Sequence, residues 1–411
     1  MTPALNAQAL KKDFPLLSSP EGSKLVYLDS AATAQKPRCV LDAMTAYYET
    51  SNANVARGVY RLAEASTNAL EAARRTVGRF IGAPLPSEVI FTKNATESLN
   101  LVAQAWGRKN LGPTDAIVLT EMEHHANIVP WQMLAAQIGF EIRWIPVLDD
   151  GQLDLSDIDR LLDGSKMLAV TAMSNVLGTL NPVRRLADLA HQAGATVSID
   201  ACQLAPHVAM NVVELGGDFV SFSAHKMCGP TGIGVLWGTT SILEETPPFL
   251  GGGGMIENVT LEGFTTAALP AKFEAGTPPI AEAIGLAAAI GYLEGIGMDA
   301  IREHEIALTA YTMRALTDRF ADRITIHGPS EPSQRGGVFS LDLAGVHPHD
   351  ISQILDQHGV CVRAGHHCAK PLMRRLGVGS TARASVYLYN DESDVDALVE
   401  ALAEAESFFA L

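Results

Sequence analysis

The stretch GDFVSFSAHKMCGPTGIGVLWG, Gly217 to Gly238, decides the fold. It holds an apolar run (DFVSFS, 218–223), then AHK, a glycine-rich turn and a second apolar run. Lysine is out of place between two apolar strands. Burying an ammonium costs several kcal/mol unless something compensates it. Outward from there, AIVLT (116–120), EIRWIPV (141–147), KMLAVTAM (166–173) and ATVSID (195–200) read as strands. Helical patterns fall between them at 130–139 and 182–194. Continuous apolar strands separated by helices predict an α/β fold with a mostly parallel sheet covered on both faces. Ligands bind at the carboxyl ends of such strands, where Asp200 and Ser223 sit.

The chain has 411 residues, too many for one hydrophobic core, so more than one domain is expected. With 47% hydrophobic and 18% charged residues it is globular rather than disordered. The net charge is −16 and no basic stretch occurs, which argues against nucleic acid as a partner. The first fifteen residues hold no continuous apolar run of the secretory kind. AIGLAAAIGYLEGIG (283–297) is short, rich in small residues and carries Glu294, so it reads as a packed helix and not a membrane span. Cysteines 39, 202, 228, 361 and 368 form no CxxC pair, and a cytoplasmic, reducing location is expected. Punctuation at PPFLGGGG (247–254) and GTPP (276–279) is followed by a helix-rich stretch. The expected division is an N-terminal segment (1–20) packed on the small domain, a large domain (21–284) and a smaller C-terminal α+β domain (285–411).

Asp200 ends one strand and Lys226 follows another. A carboxylate and a lysine at neighbouring strand ends suit pyridoxal phosphate, which needs an imine-forming lysine and an acid for its ring nitrogen. Becoming an imine would also remove the lysine's charge. Thr96, at a helix start in KNATESLNLV (93–102), offers N–H groups to the phosphate, and Ser223 and His225 flank the lysine. Taken singly, each has a plainer reading: a turn aspartate, an N-cap threonine, a snorkelling lysine. No G-x-G-x-x-G follows an early strand, which disfavours a dehydrogenase.

EMEHHANIVPWQ (121–132), SNVLGT (174–179), DACQ (200–203), SAHKMCGPTGIG (223–234), FEAGTP (273–278), RAGHHCAKPLM (363–373) and TARASVYLYN (381–390) together resemble a SUF-pathway (group II, SufS-like) cysteine desulfurase. The resemblance runs from about Asp13 to about Leu402. It implies the fold-type I transferase architecture of the class V aminotransferase-like enzymes. That fold has a large domain with a seven-stranded, mostly parallel sheet, and a small domain carrying a catalytic cysteine loop. It implies that Lys226 binds the cofactor and moves the Cα proton, and that Asp200 holds the ring nitrogen protonated. His124 would stack on the ring, and His125 would point elsewhere. Asn175 and Gln203 would meet the ring hydroxyl; Thr96, Ser223 and His225 the phosphate. Thr277 would reach the phosphate of a neighbouring subunit, which implies a homodimer.

Arg383 would fork onto the substrate carboxylate, with Asn175, Arg363 and Arg57 as further substrate contacts. Cys368 would be the nucleophile, its thiolate favoured by His366, His367 and Lys370. It would take sulfur from L-cysteine as a persulfide and leave alanine. The other four cysteines read as small buried hydrophobes. Adjacent His366, His367 and Cys368 cannot wrap one metal ion without help from elsewhere, so no metal is expected. Two positions depart from the family's usual pattern: Ala56 stands for a histidine and Ala224 for a glycine. The sulfur would pass to a SufU-like or SufE-like acceptor and a SUF scaffold for iron–sulfur assembly. In GVHPHDISQILD (345–356) His349 would meet the zinc of such an acceptor, or else it or Asp350 simply caps a helix. A selenocysteine lyase or another class V lyase would share the same cofactor site.

Overall fold

The computed structural model describes residues 5–56 and 58–409. A short strand, β1 (Val26–Tyr27), precedes the strands of the large sheet. These are β2 (Val89–Thr92), β3 (Ala116–Thr120), β4 (Glu141–Ile145), β5 (Ser165–Thr171), β6 (Thr196–Asp200), β7 (Phe219–Ser223) and β8 (Gly234–Gly238). The seven run in the order β2-β8-β7-β6-β5-β3-β4. From β7 to β4 every pairing is parallel. Side chains of successive residues enter opposite cores. Val118, Leu168, Val170 and Ile199 face one, while Ile117, Leu119, Met167 and Ala169 face the other. Burial on both faces is why these strands read as unbroken apolar runs.

A parallel crossover needs about a dozen residues or more. Only ten residues, 224–233, join β7 to β8, so β8 returns antiparallel. The same short link holds Lys226 in a 3-10 turn, Ala224–Lys226, against the carboxyl end of β7. The return strand also approaches the turn before helix Ala95–Leu101 closely. A Cβ on Gly234 would stand 2.5 Å from the Cα of Asn94 and 2.8 Å from the nitrogen of Ala95.

A hairpin, β9 (Ile256–Val259) and β10 (Phe264–Thr266), leads on to helix Ile280–Ile296. That helix packs on helices Arg38–Thr50 and Arg61–Phe80, and its Leu286, Ala289, Ile290 and Leu293 belong to the large core. The boundary expected at 284/285 therefore falls inside an element of the large body. The next helix, Met298–Phe320, begins in the large core at Met298 and Ile301. It ends in a second core at Leu308, Leu316 and Phe320. The second core lies under an antiparallel sheet built from β11 (Ile324–His327), β12 (Val338–Leu343), β14 (Arg363–Gly365) and β15 (Thr381–Ser385), ordered β11-β12-β15-β14, while β13 (Val360–Cys361) pairs with β1. Leu28 belongs to this second core. The N-terminal segment touches both bodies: Lys11 pairs with Asp394 at 2.9 Å, whereas Phe14 and Leu17 lie in the large core. Among the described residues no single helix is long and apolar enough to cross a membrane.

Gly234→Ala should push β8 off the Asn94–Ala95 turn. The clash is with backbone, so the expected cost is about 1–3 kcal/mol, read as a lower urea midpoint.

Candidate active site

The carboxyl ends of β3, β5, β6 and β7 and the start of helix Ala95–Leu101 converge on one cleft of about 280 Å³. Its walls include Thr96, His124, Asn175, Asp200, Gln203, Ser223, His225 and Lys226 from the large body. Arg363, Cys368 and Arg383 come from the small one. Thr277 is not among them. It is exposed and lines a separate cavity together with Ala56, Arg74 and Glu274. Ala56 is therefore outside the cleft as well. His349 is exposed on helix Pro348–Gln357, also away from the cleft. Arg57 lies outside the described residues.

Lys226 is only half-buried, open to the cleft, so the burial cost inferred from its apolar neighbours is smaller than the sequence suggests. Asp200 is buried, and its Oδ1 accepts from the Cys202 N–H at 2.9 Å. Ser223 Oγ accepts from the Ala95 N–H at 2.9 Å, which leaves the hydroxyl proton free to donate. Gln203 donates through Nε2 to the Ala31 carbonyl at 2.8 Å, while its Oε1 is buried without a partner. An unmet acceptor costs about 1–3 kcal/mol, and a ligand hydroxyl would satisfy this one. Acid, lysine, open hydroxyls and orphaned acceptor fit pyridoxal phosphate.

His124 accepts from the Ala126 N–H at Nδ1, 3.1 Å away, so the neutral ring carries its proton on Nε2. Burial and then the Lys226 charge lower its pKa to about 4. Burial and Lys226 likewise lower His225 to about 4, with Lys36 adding to the effect. Three residues absent from the sequence reading shape this site. Lys36 is a second lysine close to Lys226: its Nζ donates to the His225 carbonyl at 3.0 Å, and burial lowers its pKa to about 8. Glu123 is fully buried, accepts from Thr120, Asn127 and the Thr171 N–H, and fixes the turn that carries His124. Burial raises its pKa to about 8.

The third is Asp29. Arg363 and Arg383 face each other across the β14–β15 ladder, and like charges directly opposite repel. Asp29 lies against both, 2.9 Å from Arg363 Nη2 and 3.3 Å from Arg383 Nη2. Arg383 also donates to the Asn175 carbonyl at 2.8 Å, and its Nε is buried without a partner.

Cys368 is exposed, and both His367 and Cys368 adopt positive φ, 49° and 56°. The expected grouping of both histidines around the thiol does not form. His367 turns inward to Thr381, 2.9 Å from its Oγ1, and burial followed by the Arg383 charge lowers its pKa to about 3, so it is neutral. Cys202 and Cys228 are buried as expected, and burial raises both thiols. Cys39 is exposed and Cys361 partly so, against expectation. Cys202 lines the cleft.

The model of the family "Aminotransferase class-V" matches residues 26–398. A "Probable cysteine desulfurase" of Streptomyces coelicolor is 52% identical over 98% of both chains. A "Cysteine desulfurase" of Haloferax volcanii is 47% identical over 99% of this chain and 98% of its own. The chain belongs to the class-V aminotransferase family, on its cysteine desulfurase branch. The apo structure of a cysteine desulfurase from Thermococcus onnurineus superposes with TM-score 0.92 at 42% identity, covering 96% of this chain and 97% of that one. The cysteine desulfurase CsdA of Escherichia coli, in an S-sulfonic acid form, gives 0.89 at 38% identity, over 98% and 99%. The seven-stranded sheet and small C-terminal body of this chain are thus the fold-type I arrangement of its family.

The histidines set a pH dependence. His124, His225 and His367 all have folded pKa values below the ordinary 6.5. Between about 6.5 and 4 the unfolded chain therefore binds up to three protons that the folded chain refuses, while Glu123, with its raised pKa, opposes with one. Stability of the cofactor-free chain should fall as pH drops through that window. A urea midpoint at pH 5 equal to that at pH 7 would contradict this.

Proposed function

We propose that this enzyme is a pyridoxal phosphate-dependent cysteine desulfurase that takes sulfur from L-cysteine onto Cys368 and releases L-alanine. The reading rests on one observation above all. The Cys368 loop opens into the same cleft as Lys226, Asp200 and Arg383. Lys226 would hold the cofactor aldehyde, Asp200 its ring nitrogen, Gln203 Oε1 and Asn175 its ring hydroxyl, and Thr96, Ser223 and His225 its phosphate. The cofactor would supply an electron sink for the charge left when the substrate loses its Cα proton. Lys226, once freed, takes that proton. Arg383 binds the substrate carboxylate, which also satisfies its orphaned Nε–H. His124 stands neutral with its proton on Nε2, where it can donate a hydrogen bond. Cys368 thiolate then attacks the substrate sulfur: an S–S bond forms, the Cβ–S bond breaks, and its electron pair stays on carbon and takes a proton. The balance is cysteine plus thiol to alanine plus persulfide.

We further infer a cytoplasmic homodimer that passes the persulfide sulfur to a SufU-like or SufE-like acceptor for iron–sulfur assembly. The exposure of Thr277 and its position in a cavity separate from the cleft suit a contact with another subunit. The five free thiols suit a reducing compartment. His349 is exposed, with its ring stacked on His347 at 5.4 Å. The helix cap is neither His349 nor Asp350 but His347, whose Nδ1 accepts the His349 N–H. That leaves the His349 imidazole free for an acceptor's zinc. A selenocysteine lyase would use the same cleft, and relative turnover of cysteine and selenocysteine separates the two.

Borohydride reduction of the loaded enzyme should fix the cofactor on Lys226, and Lys226→Ala should be inactive. An adduct on Lys36 in the wild-type chain would refute the assignment. Cys368→Ala should still bind cysteine with a change in the visible spectrum, yet release neither alanine nor sulfide. Sulfide production at the wild-type rate would show the nucleophile is elsewhere.

His349→Ala should keep basal desulfuration and lose stimulation by a zinc-bearing acceptor. Equal stimulation of both proteins removes His349 from the transfer step.

A further inference from the structure

His125 follows the ring-stacking His124 but lies outside the cleft lining. It meets the Cys368 loop twice. Its backbone N–H donates to the Cys368 carbonyl at 2.7 Å. Its ring Nε2 accepts from the Lys370 N–H at 2.9 Å. On the loop itself, His366 Nδ1 accepts from the Cys368 N–H at 3.1 Å. The two rings sit 5.6 Å apart at 37°. Both backbone groups of Cys368 are thereby engaged, one by each histidine.

These contacts hold an unfavourable backbone. Left-handed φ at a residue other than glycine costs about 1–2 kcal/mol, and here it occurs at two residues running, His367 and Cys368. Such a conformation persists only where its surroundings determine it. His125, His366 and Cys368 also bring potential ligand atoms within 4.8 Å of one another. A metal is nonetheless the weaker reading. A neutral imidazole has one lone pair in its plane, and in each ring that lone pair already receives a backbone N–H.

We propose that His125 latches the large body onto the Cys368 loop through the Lys370 N–H, while His366 braces the loop from within, so that the left-handed turn is held with the thiol at the cleft. His125 is a positioning residue: it works through the loop and touches no reacting atom. The effect on turnover rests on the reading of Cys368 as the nucleophile; the latch itself does not.

Hydrogen exchange on the loaded enzyme tests the latch without reference to activity. His125→Ala keeps the backbone bond to the Cys368 carbonyl and removes the ring acceptor, so the Lys370 amide should lose protection, while the rest of the chain and the urea midpoint stay as in the wild type. His125→Gln places an acceptor near the Nε2 position and should restore most of that protection. With cysteine as substrate, His125→Ala should lower kcat by about tenfold to a hundredfold, as displacement of a reacting group does. KM and the cysteine-induced spectral change should stay within about twofold, and His125→Gln should recover most of the rate. Unchanged loop exchange in His125→Ala, or equal impairment of the Ala and Gln variants, overturns the proposal. Lost protection with an unchanged kcat keeps the latch and moves the nucleophile elsewhere. If His125→Ala fails to fold, His366→Ala removes only the acceptor of the Cys368 N–H and must still raise exchange at that amide.

Discussion

The ten residues between β7 and β8 constrain everything around them. They are too few for a crossover, so the chain turns back on itself at the carboxyl edge of the sheet. That reversal holds Lys226 beside the end of β7, next to Asp200 at the end of β6. It also lays β8 against β2 and against the start of helix Ala95–Leu101, close enough that Gly234 has no room for a side chain. Lysine, acid and helix start are thus brought together by one short connection. The remaining parallel strands deliver His124 and Asn175 to the same edge because they run in the same direction.

The small body brings to the sheet edge an arginine pair and an exposed thiol, the groups proposed to receive a carboxylate and to attack sulfur. Two arginines opposite each other on an antiparallel ladder would repel, and Asp29 makes the pair tolerable. Asp29 arrives there because β1 pairs with β13 of the small body, so a residue early in the chain braces one near its end. The brace is incomplete: one buried N–H of Arg383 remains without an acceptor. A substrate carboxylate would complete it, which gives binding a physical reward at that spot.

The parallel strands were legible because burial on both faces leaves an unbroken apolar run. Motif residues at strand ends were legible too, since strand direction alone carries them to one edge. Helix Ile280–Ile296 was recognised, but its allegiance was not. It is apolar on all sides, so its pattern does not say which core it joins. Asp29 and Lys36 gave no signal, because their roles come from partners far away in the chain, and Glu123 gave none because its burial, with the distant Thr171 N–H on it, appears only in the folded sheet. HHC misled in another way. Adjacency places His366, His367 and Cys368 near each other, but two successive positive φ values turn His367 inward and leave Cys368 outside. His125 points elsewhere than the cleft, as its place beside His124 implies, and meets the Cys368 loop.

Arg383 and the Cys368 loop are tied together by hydrogen bonds. His367 bonds Thr381, two residues from Arg383, and Arg363 at the foot of the loop pairs across the ladder with Arg383. Asn175 bridges to both, donating to the His367 carbonyl at 2.7 Å and accepting from Arg383 at 2.8 Å. On the proposed roles, a shift that seats a carboxylate on Arg383 would carry Cys368 with it. Large-body contacts that resist such a shift include those of Asn175 and His125, and those of Val147 and Asp149 with Arg375 just beyond the loop. On the proposed roles, substrate seating and thiol placement would thus be coupled through a few hydrogen bonds, the group that receives the substrate also setting the distance over which its sulfur is attacked.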